Sequence, residues 1–268
     1  MVHHITSASN PLIKTLKGLH AKKGRAESGL FLAEGARLAL EASDLGVWPA
    51  VMVYAPAALE RPRLRALIDE AERRRVRVIE TSESVLGQIT KRDNPQTVIG
   101  AYEQRLSALE EIDGQSIVAL EGVRDPGNLG AILRTADSVG AAGVVLVGEC
   151  CDPFSVEAVR ASMGSLFAVK LARASFDELL AYKLLRSASL IGASLKGRHF
   201  GDDLPPPARA VLLMGNEQSG LNAEMEAACD LLVRLPMRGR ADSLNLAIAT
   251  GVLLYDLWRR RGYDGARA

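Results

Sequence analysis

Cysteine is scarce. The chain has three, Cys150, Cys151 and Cys229, and none are spaced C-x-x-C. An odd count without that spacing argues against a disulfide framework and against a zinc site. Aromatic residues make up only 4% of the 268 residues, which argues against recognition that rests mainly on base stacking. No charge of one sign dominates: 33 Lys and Arg face 32 Asp and Glu. Only local charge can therefore point to a partner. No stretch reaches the roughly 18 to 20 apolar residues of a membrane span, and the opening MVHHITSASNPLIKTLKG lacks the apolar core of a signal peptide. A reduced, cytoplasmic protein without a membrane partner is expected. His3, His4, His20 and His199 form no ligand cluster with cysteines or carboxylates, so no metal is expected; they read as surface residues.

Apolar residues are 48% of the chain and charged ones 24%, which is ordinary globular composition. Strand-like and helix-like patterns alternate. LFLAEG (30–35) leads into ARLALEASDLG, and AVMVYA (50–55) into RLRALIDEAERRR. VRVIET, ESVLGQIT and TVIGAYE complete a small α/β sandwich over residues 1–103. The polar stretch after it, 104–113, suits a linker. A second domain, 114–268, carries six short apolar runs: SIVALEGV, GVVLVG, FAVKLA, SLIGASL, AVLLMG and LLVRLP. Such runs are strands buried on both faces, which implies a parallel sheet under helices. PPPARA, from Pro205, reads as a loop before the fifth run.

Between Lys14 and Arg25 the chain carries Lys14, Lys17, Lys22, Lys23 and Arg25, and no acidic residue precedes Glu27. This is either a solvated face or a phosphate-binding arm.

Three loops follow apolar runs and carry polar residues that a plain turn does not need. In the first, EGVRDPGNLGAILRTA, Asp125, Pro126 and Gly127 favour a tight turn. A helix starting near Asn128 would offer free N–H groups to an anion. Gly130 and Arg134 share a helix face, which would leave room for a ligand beside the arginine. Taken alone, that pair is better explained as a surface arginine over a structural glycine. In the second, VLLMGNEQSGLNAE, the run ends at Met214 and breaks at Gly215. Asn216 to Ser219 are all polar, and Asn222 can cap the next helix. In the third, LVRLPMRGRADSLNLAIATG, Pro236 stops the strand and Asp242 or Ser243 can cap the last helix, with Asn245 in its first turn. The apolar residues from Leu244 to Trp258 cover more than one helix face. Ligands of parallel α/β sheets sit at the carboxyl ends of strands, and these loops share that edge.

DPGNLGAILRTA, MGNEQSGL and LPMRGRADSLNLAIATG together resemble the three motifs of the SpoU-like (TrmH-type) class of SPOUT RNA methyltransferases. RASMGSLFAVKL resembles the segment between them, and FLAEGARLALEA the start of that class's substrate-binding domain. The resemblance implies a parallel-sheet SPOUT domain with a deep trefoil knot, preceded by a small α/β sandwich that binds substrate. It also implies a homodimer, S-adenosylmethionine as methyl donor without a metal, and a ribose 2′-OH of RNA as acceptor. Arg134, Asn128, Glu217, Ser243 and Asn245 match its catalytic positions. Gly215, Leu235 and Leu244, with Met214 and Met237 beside them, match its donor-binding positions. Arg134 would clamp the phosphate beside the target ribose and stabilise the developing oxyanion, with a base role open. A separate N-terminal domain leans towards ribosomal rather than transfer RNA. Two rival readings remain at this point. One is a Rossmann-type nucleotide-binding enzyme using Glu149, although no G-x-G-x-x-G is present. The other is an RNA-binding module without activity.

Overall fold

The computed structural model describes residues 2–199 and 206–266; Pro205 lies outside them. In chain order the elements are β1 (His3–His4), α1 (Pro11–Gly18), α2 (Lys22–Ser28), β2 (Leu30–Glu34), α3 (Ala36–Asp44), β3 (Val51–Tyr54), α4 (Pro62–Arg73), β4 (Arg77–Glu80), α5 (Glu83–Thr90) and β5 (Val98–Glu103). There follow β6 (Ser116–Glu121), α6 (Pro126–Ser138), β7 (Gly143–Val147), α7 (Val156–Ala161), β8 (Leu171–Ala174), α8 (Phe176–Leu185), β9 (Ser189–His199), β10 (Ala210–Met214), α9 (Ala223–Ala228), β11 (Leu231–Arg234) and α10 (Leu246–Arg260). They form two compact units. One is residues 1–105 with 152–167, the other 106–151 with 168–268.

The first unit is built on a five-stranded sheet of order β1-β4-β3-β5-β2. β1, β4 and β3 run parallel, while β5 is antiparallel to both β3 and β2. Successive residues of a strand face opposite ways, and β3 shows the consequence. Val51 and Val53 pack with Ile13, Leu16, Leu86 and Ile89 of α1 and α5. Met52 and Tyr54 pack with Leu64, Leu67 and Ile68 of α4. Both faces are thus covered, which is the expected α/β sandwich.

Residues 152–167 depart from the contiguous division expected at 103 and 114. They pack with the first unit: the rings of Phe154 and Phe31 are 5.2 Å apart, and those of Phe167 and Tyr102 are 4.8 Å apart. These contacts join residues far apart in sequence, which local patterning does not encode.

The second unit is built on a six-stranded sheet of order β8-β7-β6-β10-β9-β11. Every pairing in it is parallel. β7 and β10 are buried along their whole length, as the unbroken apolar runs require. The strand order reverses direction between β6 and β10, which is the switch point where such sheets hold ligands. The strand expected within FAVKLA lies later, at Leu171–Ala174, behind a helical turn at Ser165–Phe167. Among the described residues no helix is long and apolar enough to cross a membrane.

Candidate active site

The loops after β6 and β10 flank the switch point. β6 is followed by Gly122, whose φ of 59° suits a residue without a side chain. α6 begins at Pro126, earlier than the expected start near Asn128, because Asp125 is its N-cap. The Asn128 amide donates to Asp125 Oδ1 at 2.9 Å. A carboxylate therefore takes the helix terminus that was expected to receive an anion, and the Asn128 side chain is left to reach elsewhere. Its Nδ2 donates to Glu217 Oε1 at 3.0 Å, and the Arg124 amide donates to Glu217 Oε2 at 3.4 Å.

Glu217 is presented by a tightly folded loop. Asn216 Oδ1 accepts from the amides of Gln218 and Ser219 and from Ser219 Oγ. A Cβ on Gly215 would lie 2.1 Å from the Gly220 carbonyl carbon, so only glycine permits this return of the chain. Asn222 caps α9 through the Met225 amide at 2.8 Å, as expected.

The third loop completes the junction. Asn245, rather than Asp242 or Ser243, caps α10. Its Oδ1 accepts from the amides of Ala247 and Ile248, and its Nδ2 donates to Asn128 Oδ1 at 2.9 Å. A continuous chain thus runs from the Arg124 amide through Glu217 and Asn128 to Asn245 and the α10 backbone. An ionised carboxylate can only accept, so Glu217 orients the Asn128 amide, and Asn128 orients Asn245. Ser243 Oγ donates to Asp242 Oδ1 at 3.3 Å.

Arg134 lies on α6, exposed, and no hydrogen bond or ion pair of its side chain is found among the described residues. Gly130, expected to leave open room beside it, is buried. The Arg134 side chain therefore faces solvent and not a slot beside Gly130.

Beside the junction lies a cavity of about 710 Å³, within the span of roughly 300 to 1,000 Å³ for small-molecule sites. Met214, Gly215, Leu235, Met237 and Leu244 all line it, as do Glu217, Ser243 and Asn245; Asn128 and Arg134 do not. Residues 235–244 make no backbone–backbone hydrogen bond among the described residues, which leaves N–H and C=O groups along this wall available to a ligand. Sequence patterning missed Ser194, Lys196 and Glu226, which also line the cavity. They come from β9 and α9, and nothing in their local spacing marks them. Burial raises the pKa of the Cys150 thiol and pushes that of Cys229 up to about 11. These two thiols lack the depressed pKa of nucleophilic cysteines.

The basic N-terminal stretch divides. Lys14 and Lys22 are exposed. Lys17 Nζ donates to Gln88 Oε1 at 3.2 Å, and Lys23 sits 3.8 Å from Glu27. Arg25, expected to contact RNA, is 4% exposed. Its guanidinium donates to Asp152 Oδ2 and to the carbonyls of Leu19 and His20. All three of its nitrogens are committed, so it ties α2 to the Asp152 segment instead of facing a phosphate. The His20 ring meets the Ile89 carbonyl at 2.7 Å.

Residues 115–255 match the model of the SpoU rRNA Methylase family, and residues 10–100 match the MRM3-like substrate binding domain. The chain is similar to the 23S rRNA (guanosine(2553)-2′-O)-methyltransferase RlmP of Bacillus subtilis, with 28% identity covering 94% of this chain and 98% of that one. It is also similar to the 23S rRNA (guanosine-2′-O-)-methyltransferase RlmB of a Burkholderia species, with 30% identity covering 94% of this chain and 98% of that one. The crystal structure of an AdoMet-bound rRNA methyltransferase from Sinorhizobium meliloti superposes with a TM-score of 0.88, at 42% identity, covering 96% and 98% of the two chains. The matched segment contains all three loops of the junction, and the chain belongs to the SpoU rRNA methylase family.

Proposed function

We propose that this chain methylates a ribose 2′-OH of ribosomal RNA with S-adenosylmethionine. The observation that carries this reading is the meeting of three loops, through Glu217, Asn128 and Asn245, beside the 710 Å³ cavity that Glu217 and Asn245 line. The relatives named as rRNA 2′-O-methyltransferases support the substrate class. Transfer RNA is the alternative acceptor.

The cavity suits the donor. Leu235, Met237, Leu244 and Leu253 supply apolar wall, and the unpaired backbone of 235–244 supplies donors and acceptors. When bound, S-adenosylmethionine supplies an already activated methyl group. The chain's own task is then to hold the acceptor oxygen in line and to stabilise the charge growing on it. Arg134 meets that need: its guanidinium is planar, permanently charged and without an internal partner. It would clamp the phosphate next to the target ribose and stabilise the developing 2′-oxyanion, and the proton lost from the 2′-OH would pass to that phosphate or to Glu217. Glu217 is held by Asn128 and the Arg124 amide, so it serves as a fixed acceptor at the cavity wall. Ser243 and Asn245 place polar groups beside it.

A deep trefoil knot in the second unit, a cytoplasmic site of action and a homodimer are parts of the same reading. The dimer is supported by α10, which buries one face in its own unit and leaves Ile248, Val252 and Tyr255 exposed on another.

Calorimetry with S-adenosylhomocysteine tests the donor. Ribose-methylation mapping of ribosomal RNA from a deletion strain against its parent tests the acceptor. One 2′-O-methyl group should disappear; an unchanged ribosomal map would move the assignment to another RNA.

A further inference from the structure

The wall of the cavity opposite the 235–244 loop is built in an unusual way. β9 pairs with β11 at Ile191–Leu231 and Gly192–Leu232, and then next at Arg198–Val233. Five residues, Ala193 to Gly197, thus stand between partners of two adjacent residues of β11, and β10 pairs with β9 only as far as Gly192. The chain bulges out of the sheet and returns at Gly197, where a Cβ would lie 2.5 Å from the Val233 amide nitrogen. Bulges beside active sites re-aim side chains. This one aims Ser194, Leu195 and Lys196 at the cavity.

Something must hold an unpaired bulge in one shape. Glu226 of α9 does so from the other side of the same wall. Ser194 Oγ donates to Glu226 Oε1 at 2.6 Å, and Lys196 Nζ donates to Glu226 Oε2 at 2.7 Å. The Lys196 amide donates back to Ser194 Oγ at 3.2 Å. The Glu226 side chain is 12% exposed but that of Lys196 is 74% exposed, so the bond from Ser194 is the sheltered one, while the Lys196 pair is a surface pair that adds little. Leu195, between the two pinned residues, is 64% exposed. An apolar side chain held out at a cavity wall gains burial when a ligand fills the cavity.

We infer that Glu226 is a positioning residue for the methyl donor: it pins the 193–197 bulge so that Leu195 forms an apolar contact for the bound donor. The inference rests on the donor-site assignment above. It assigns Glu226 to donor affinity and not to chemistry or to RNA binding.

The test is calorimetry with S-adenosylhomocysteine on the purified full-length chain, together with methyl-transfer kinetics at varied donor. Glu226→Ala should weaken donor binding by about tenfold or more, the scale for removing a hydrogen bond to a charged group. Donor KM should rise while kcat at saturating donor and RNA affinity are kept, the signature of weakened uniform binding. Glu226→Gln keeps an acceptor for Ser194 and should recover most of the loss. Leu195→Ser changes an exposed residue, so folding is preserved, and it should weaken donor binding several-fold. Should Glu226→Ala fail to fold, Leu195→Ser and Glu226→Gln decide. Wild-type donor affinity in Leu195→Ser, or a Glu226→Gln variant that binds donor more weakly than Leu195→Ser does, overturns the inference. So does a fall in kcat with donor KM unchanged. A wild-type chain that binds no S-adenosylhomocysteine overturns the donor site itself, and this inference with it.

Discussion

At the scale of single residues, Arg134 and Arg25 show how one side-chain type takes opposite roles. Arg134 is exposed on the helix that starts at the polar junction, with no side-chain partner among the described residues. Arg25 is buried and spends its nitrogens on Asp152 and two carbonyls. Arg134→Ala should leave fold and donor affinity intact, because the donor positions lie on other loops. Methyl transfer should fall by about a hundredfold or more, the scale for losing one charge-stabilising donor. Arg134→Lys keeps the charge but not the two-pronged grip, so it should recover little activity in single-turnover assays; near-full recovery would show that bare charge suffices. Arg25→Ala leaves Asp152 without its buried partner and should cost about 3–5 kcal/mol of stability in urea unfolding. A loss under about 1 kcal/mol, the range of exposed pairs, would mean that the pair holds little together. The sequence marked both arginines, but it could not separate them. Exposure depends on Leu19, His20 and Asp152 arriving at one point, and no local pattern records that. The polar junction was more legible, since Asn128, Glu217 and Asn245 are polar residues in loops that follow apolar strands of one sheet.

At the scale of elements, runs with strong periodicity were legible and ends were not. Apolar runs marked the strands because a parallel sheet buries both faces of each one. The α10 cap illustrates the failure at ends. Asp242, Ser243 and Asn245 are all good N-cap residues, and only the contact with Asn128 selects Asn245. The β9 bulge left only Gly197 as a trace in the sequence, because the residue that pins it, Glu226, belongs to another element further along the chain. The two-sided apolar pattern of α10 was legible and has a consequence. Thr250, Leu253, Leu254 and Leu257 are buried in the chain's own unit, while Ile248 is 56% exposed, with Val252 and Tyr255 exposed beside it. Residues spaced by four and three lie on one helix face. Light scattering at micromolar concentration should therefore report a dimer, and Val252→Lys should shift it to a monomer with the circular dichroism spectrum unchanged. A monodisperse wild-type monomer would remove α10 as an interface.

At the scale of the whole molecule, the division of labour follows from where charge and cavity fall. The second unit holds the cavity and the polar junction. The first unit matches a substrate binding domain and carries the lysines that precede Glu27. The bulk charge of +1 gives no net attraction for RNA, so affinity must come from local clusters. With Arg25 internal, that cluster reduces to Lys14, Lys17, Lys22 and Lys23. The partners of Lys17 and Lys23 are the exposed side chains of Gln88 and Glu27. Such pairs contribute little, so a phosphate can displace them. Changing all four lysines to Ala should weaken RNA binding and flatten its salt dependence. Every phosphate that goes without its lysine should lower the log–log slope by about 0.7 to 0.9. S-adenosylhomocysteine binding should stay as it was, because no lysine of this group lines the cavity. Filter binding across a salt series distinguishes the outcomes. An unchanged slope would make the stretch a solvated face and leave RNA affinity to other residues, whereas weaker affinity with the slope kept would mean that the lysines support the fold of the unit and do not neutralise phosphate.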